Sequence, residues 1–380
     1  MPFSQNARRK IIVREIKVDK VLDINEHVDG GWFWTKYSAA PYMGCQYGCT
    51  YCFLREDMYR LNVKNKITKN LEDPFSQFIR VRINAPEILD KELPLVPKDI
   101  IVTGDYQPIE NKFKLSRKML EVCLKHEFPT LIIAKSPLIL RDLDVIKRIS
   151  EKSWACVVFS ISSTSKSHRE SFEPFASSIE SRFMIMKRFS EAGIYTGTAL
   201  MPIFPFITDS DENLETIVGK TKENGGKFIL AGGLVLSDSQ AEAFYMSLEK
   251  YNKSLVEKYK LIYGNQFSPQ DNSWAVIGRK VRELCKKYGL DYRIKRFIPD
   301  TPLLVNKRIV EQLFLKVYEM ELNEENEESI FRYRKLAWFI DEFKEPISNL
   351  ASGKILIDRL KTDKNLSKIE KILSERRLFN

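Results

Sequence analysis

Pro41-Tyr42-Met43-Gly44-Cys45-Gln46-Tyr47-Gly48-Cys49-Thr50-Tyr51-Cys52-Phe53-Leu54-Arg55 sets three of the chain's six cysteines in one turn-rich loop, spaced Cys-x3-Cys-x2-Cys. Thiolates that ligate an iron–sulfur cube must reach several of its corners from a short segment, and glycines such as Gly48 let the backbone fold around it. Three protein ligands leave one iron open to another molecule. The competing readings are a zinc knuckle or unrelated buried thiols. Structural zinc takes four Cys/His ligands. Of three histidines, His27 lies upstream and His126 and His168 far downstream, so none stands at finger-like spacing. A disulfide framework is the weakest reading, because the cysteines are not spread through a small secreted chain.

Working outward, short apolar runs recur at Ile100–Thr103, Leu131–Ala134, Ala155–Ser162, Ile194–Leu200 and Phe228–Leu236. Amphipathic stretches separate them at about 113–126, 141–151, 179–192, 211–224 and 238–259. This alternation predicts βα units and a parallel sheet. With a first strand just before Cys45 the count is six, which predicts an α/β chain built as an open (β/α)6 partial TIM barrel, with chemistry at the C-terminal ends of the strands. Residues 1–36 read as an N-terminal extension covering one end of the barrel, 37–262 as the barrel and 263–320 as a helical continuation of the core. Residues 321–380 read as a small helical domain. The acidic run Glu319–Glu328 reads as a linker or an exposed helix start. Cys123, Cys156 and Cys285 fall on a helix, a buried strand and a helix, where isolated cysteines are small core residues.

The 380 residues are 43% hydrophobic and 29% charged, with a formal net charge of +10. No apolar run reaches membrane-spanning length and the first ten residues hold no apolar signal core, so a cytoplasmic protein away from the membrane is expected. The basic balance favours a polyanionic partner, although a charge excess spread over this length also reads as a solvated surface.

The cysteine loop, followed by Tyr106-Gln107-Pro108-Ile109-Glu110, Ala134-Lys135-Ser136, Leu140-Arg141-Asp142 and Phe159-Ser160-Ile161-Ser162, resembles the radical S-adenosylmethionine (SAM) superfamily. Within it the likeness, over about 40–236, is to the spore photoproduct lyase-like branch, also called DNA-repair-photolyase-like. The resemblance implies that Cys45, Cys49 and Cys52 ligate a [4Fe-4S] cluster and that Tyr51 lies near the SAM adenine through its backbone. It implies Lys135 on the SAM carboxylate, the alternative being a solvated strand end. Ser160 and Ser162 would face the SAM ribose or carboxylate, or else bond to backbone at a strand end. The SAM amino group falls to Gly104-Asp105, shifted by one position from the family pattern, with Glu110 sharing that task or capping the next helix.

Two positions depart from the lyase. Its hydrogen-donor cysteine has no counterpart in Ile100-Ile101-Val102-Thr103, and Phe53 stands where it has a tyrosine. The resemblance therefore implies the radical step and not reversal of the spore thymine dimer. It implies a DNA or RNA substrate and an electron donor such as flavodoxin or ferredoxin. The alternatives are a peptide, protein or small-molecule substrate, or a nucleic-acid-binding protein with a structural metal.

The tail, Phe331-Arg332-Tyr333-Arg334-Lys335-Leu336-Ala337-Trp338-Phe339-Ile340-Asp341-Glu342-Phe343 with Pro346–Leu350 and Ile369–Leu373, resembles the helix-hairpin-helix domain of family X DNA polymerases. Lys361-Thr362-Asp363-Lys364-Asn365 occupies the place of its glycine hairpin. A bare helical bundle is the other reading of this segment.

Overall fold

The computed structural model describes residues 9–30, 32–55, 71–270 and 273–347. The strands in chain order are β1 (Ile12–Ile16), β2 (Leu22–Ile24), β3 (Tyr37–Ala39), β4 (Tyr42–Met43), β5 (Phe78–Arg82), β6 (Ile101–Val102), β7 (Thr130–Ala134), β8 (Ala155–Ser160), β9 (Tyr195–Ile203) and β10 (Ile229–Gly233). The larger sheet runs β10-β9-β8-β7-β6-β3-β2. Its neighbours from β3 to β10 are all parallel and β2 closes the edge antiparallel to β3. Five of the six parallel strands are those expected from the apolar runs; the first is β3, while the strand immediately before Cys45, β4, pairs in a separate sheet, and the fold is the open (β/α)6 partial barrel.

Parallel strands need crossovers, and helices Leu115–Lys125, Leu143–Lys152, Ile179–Glu191 and Asp211–Glu223 supply them. β8 is buried at every residue, as its unbroken apolar text Ala155-Cys156-Val157-Val158-Phe159 requires of a central strand covered on both faces. Several helices start at serines that point a hydroxyl back into the first turn: Ser165 accepts from the His168 amide, Ser178 from Ser181 and Ser210 from Asn213. Cys123, Cys156 and Cys285 are fully buried in the apolar core.

A second sheet, ordered β1-β5-β4, lies outside the expected pattern. β1 runs parallel to β5, and β4 pairs antiparallel with β5 through Tyr42 opposite Val81 and Met43 opposite Arg80. Its apolar side packs Tyr42, Ile79 and Val81 against Ile109 and Leu115. The sheet is built from text on either side of the cysteine loop, so the loop leaves from a paired strand.

The described residues divide into two compact units, one built from 35–293 with the segment that ends at 24, the other from 25–34 with the segment that begins at 294. In the second unit helices Leu304–Leu322 and Glu327–Glu342 form a hairpin, so the acidic run is the end of one helix, a short turn and the start of the next. Trp34 is buried with its indole N–H on the Ile294 carbonyl at 2.8 Å. Trp338 stacks on His27 and donates to the Val28 carbonyl at 3.0 Å. Arg332 and Arg334 are paired with Glu328 and Glu321. Residues 348–380, with the Lys361–Asn365 segment, lie outside the described residues.

Candidate active site at the cysteine loop

Gly44 begins the loop at φ +87°, where a Cβ would lie 2.6 Å from the Phe78 carbonyl oxygen and 2.9 Å from that of Phe75, so only glycine fits. Loop polar groups are then taken one by one by neighbouring side chains. Arg55 donates through Nε to the Cys49 carbonyl at 2.8 Å and through Nη2 to that of Gly48 at 3.2 Å. Its guanidinium is fixed in turn by both Asp73 oxygens at 2.8 Å, the bidentate geometry that suits arginine. Gln107 accepts from the Gln46 amide at 2.9 Å and donates to the Gly44 carbonyl at 3.0 Å, while the Tyr47 hydroxyl donates to the Tyr106 carbonyl at 2.5 Å. The loop after β4 is thereby stapled to the loop after β6.

Cys45, Cys49 and Cys52 are free thiols within this cradle, Cys49 buried and the other two half-buried. Burial pushes all three thiols up, Cys52 to about 11, and the charge on Cys49 raises both of the others further. Among the described residues no group of three His, Cys, Asp or Glu side chains could hold a single metal ion. A cubane asks for a different arrangement, since each thiolate meets its own iron corner. Three free thiols on one loop, close enough to feel one another's charge, suit that donor set, and coordination to a metal deprotonates such a thiol outright.

Lys135, carried to the same end of the sheet by β7, reaches the loop. Its ammonium lies 3.7 Å from the Cys49 sulfur, 2.6 Å from the Tyr51 hydroxyl and 2.8 Å from Glu173. Glu173 is buried and also bonded by the Tyr51 hydroxyl and by Arg182. Desolvation would raise its pKa, but Arg182 and Lys135 beside it hold the carboxylate well below the usual range. Arg182 is itself buried and donates to the Ser160 carbonyl at 2.9 Å and the Ser177 carbonyl at 2.9 Å. The Tyr51 carbonyl accepts from Gln240 at 2.7 Å.

Asp105 follows β6, and its two oxygens accept from the Gln107 amide at 3.2 Å and the Gln107 side chain at 2.8 Å. Burial pushes this carboxyl up to about 6, with Glu110 adding to the rise. Gly104 beside it has φ +91°. Glu110 is fully buried; it is bonded by the Tyr42 hydroxyl, pairs with Arg141 at 2.5 Å and accepts from the Ser116 amide at 3.1 Å in the first turn of the next helix. At the end of β8, Ser160 contacts the Met201 carbonyl at 3.5 Å. The Ser162 hydroxyl, only 1% exposed, has no hydrogen-bond partner among the described residues. Among the described residues Thr50 Oγ1, inside the cysteine loop, and His168 Nε2, edge-on to Phe204, are also buried and without one. Burial pushes His168 down to about 4, so the imidazole is neutral.

Sequence reasoning missed Glu173, Arg182, Gln107, Gln240 and Arg55 as site residues. Arg182 left a readable signal: it falls between Ile179 and Met186 on the apolar face of its helix, where an arginine needs a buried acid. Glu173 sits at the end of a short helix among mixed text and left none.

The fold and this loop define an open (β/α)6 barrel protein with a three-cysteine loop after its first parallel strand. No protein-family model matches the chain. An uncharacterized protein of Methanocaldococcus jannaschii is 31% identical over 214 residues, which is 56% of this chain and 74% of that protein. The chain belongs to the same family as that protein. An uncharacterized protein of Mycobacterium tuberculosis is 24% identical over 263 residues, 67% of this chain and 75% of its own length. Among solved structures, a spore photoproduct lyase variant with bound AdoMet and dinucleoside spore photoproduct matches with a TM-score of 0.54 and 14% identity, over 73% of this chain and 79% of that chain. The two proteins share a fold.

Proposed function

We propose that this chain is a radical SAM enzyme acting on nucleic acid. The observation that carries the reading is Lys135 at the end of β7, 3.7 Å from Cys49 in a loop of three free thiols that follows the first parallel strand. The fold shared with a lyase that binds AdoMet and a dinucleoside spore photoproduct supports it, as does the net charge of +10. Cys45, Cys49 and Cys52 would hold a [4Fe-4S] cluster. When bound, cluster and SAM supply reductive cleavage of SAM and a 5′-deoxyadenosyl radical able to abstract hydrogen.

The chain's own residues bind and orient. Lys135 offers an ammonium to the SAM carboxylate and Asp105 a carboxylate to its amino group. Ser162 and Thr50 are buried hydroxyls free to meet a ligand. Gly44, Arg55 and Gln107 fix the loop. Phe172, Phe204 and Phe244 line an apolar cluster with Cys49 and Tyr51 that excludes water on one side of the loop.

The test is anaerobic reconstitution followed by dithionite and SAM. Wild type is expected to hold about four iron per chain and release 5′-deoxyadenosine. Cys45→Ala, Cys49→Ala and Cys52→Ala each lose both properties, while Cys123→Ala, Cys156→Ala and Cys285→Ala keep both. A colourless zinc protein, or full activity after loss of any loop cysteine, overturns the reading.

A further inference from the structure

The small sheet carries a concentration of positive charge that the barrel chemistry does not use. Arg14 on β1 stands directly opposite Arg80 on β5 in parallel register, and Arg82 lies two residues further along β5. Alternate residues of a strand share a face, so all three arginines project from one side of the sheet. The other side of β5, Ile79 and Val81, is fully buried. Glu15 belongs to that opposite side, opposite Val81.

Like charges directly opposite each other in a sheet are destabilising. Arg80 is half-buried, and its pKa is lowered first by that burial and then by the charges of Arg82 and Arg14. Among the described residues neither the Arg14 nor the Arg80 side chain makes a hydrogen bond or ion pair, whereas those of Arg9, Arg55, Arg117, Arg141 and Arg182 all do. Arg82 donates to the Ala40 carbonyl at 3.1 Å.

This face adjoins the cysteine loop. Arg80 pairs across the sheet with Met43, two residues before Cys45. Arg9, just ahead of β1, donates to the Gln46 carbonyl within the loop at 2.7 Å. An anionic chain lying on the arginines would thus run beside the thiols.

We propose that the face formed by Arg14, Arg80 and Arg82 binds the phosphodiester backbone of the nucleic-acid substrate and sets its register at the cysteine loop. The inference rests on the nucleic-acid reading above. Guanidinium forks match phosphate oxygens two at a time, and rigid strands hold them at fixed spacing. Contacts of this kind position a substrate without reading its sequence.

The experiment measures binding of a fluorescent single-stranded DNA and its RNA counterpart to the reconstituted protein between 50 and 200 mM salt, with iron content and circular dichroism as fold checks. Each phosphate contact contributes about 0.7 to the slope of log affinity against log salt on a single strand. Arg14→Gln/Arg80→Gln is expected to lower the slope by about 1.4, and Arg80→Lys to restore part of it. Arg14 is exposed, so Arg14→Gln alone, with an expected drop of about 0.7, decides the matter should Arg80→Gln misfold. Wild-type affinity and slope in these variants overturn the inference and leave the nucleic-acid reading standing. Absence of binding by wild type to either strand overturns both.

Discussion

The Lys135 ammonium lies 3.7 Å from the Cys49 sulfur, joining the third parallel strand to the middle cysteine of the loop. An ammonium has three donors, and here they face Tyr51, Glu173 and Cys49. A ligand carboxylate arriving at this end of the sheet therefore shares Lys135 with Glu173, which in turn is anchored by Arg182. The proposed SAM contact at Lys135 and a positioning role for Glu173 call for different mutational signatures.

Lys135→Ala is expected to weaken SAM binding by roughly 1.5–3 kcal/mol, the range for one hydrogen bond to a charged group, with iron content unchanged. Glu173→Gln should instead destabilise the fold by about 3–5 kcal/mol, because it strands Arg182 as a buried charge. Titration of the reconstituted proteins with SAM, and denaturant midpoints at constant m-value, separate the two. Unaltered SAM affinity in Lys135→Ala would leave that residue only the structural task of pairing with Glu173, since its ammonium lies against that buried carboxylate and is not a solvated strand end.

Asp105 sets a pH dependence. Its carboxyl is pushed up to about 6, so below that pH it is neutral and offers no charge to an ammonium. A cationic partner favours the ionised form, hence SAM affinity should rise as pH climbs through 6 and fall by up to about tenfold per unit below it. His168, at about 4, titrates outside that window. Asp105→Ala should bind SAM more weakly above pH 6 and lose the dependence; a wild-type affinity that is flat between pH 5 and 7 removes Asp105 from the amino-group role.

The barrel was legible because its strands are written as apolar runs broken by amphipathic text, and β8, wholly buried, gave the plainest run of all. The second sheet was not. β1 carries Arg14 and Glu15 on exposed positions and β4 has two residues, so neither shows an apolar period; only long-range pairing with β5 makes them strands. The cysteine loop was legible through spacing, and Lys135 through its place at the end of an apolar strand. Glu173 was not, because its role comes from Arg182 and Lys135 meeting it in space. The helix break at Asn252–Ser254 was also missed, since no Gly or Pro marks it and the polar Asn252-Lys253-Ser254 reads as one exposed turn of a continuous amphipathic helix.

Ser162 offers a contrast between stability and binding. A buried hydroxyl without a partner costs free energy, so Ser162→Ala should leave stability unchanged or raise it, by on the order of 1 kcal/mol. If that hydroxyl meets SAM, affinity falls in the same variant. Thermal midpoints and SAM titrations read the two effects separately; a destabilised Ser162→Ala protein means that the hydroxyl already has a structural task.

Gly44 tests whether loop geometry governs cluster binding. Both Gly44, at φ +87°, and Gly193, at φ +79°, occupy the left-handed region, but a Cβ at Gly193 meets nothing within 4 Å while one at Gly44 lies 2.6 Å from the Phe78 carbonyl oxygen. Gly193→Ala therefore isolates the backbone cost, about 1–2 kcal/mol for a residue forced into that conformation. Gly44→Ala adds a steric conflict with two carbonyl groups of the segment that receives the Cys45 amide, at 3.0 Å on Phe75. Relief requires the loop to move off β5, carrying Cys45 away from Cys49 and Cys52. The expected result is a Gly193→Ala protein with full iron and a modestly lower thermal midpoint, and a Gly44→Ala protein that folds by circular dichroism yet retains little iron after anaerobic reconstitution. Equal iron in the two variants would show that the thiols reach a cluster without the geometry that Gly44 imposes.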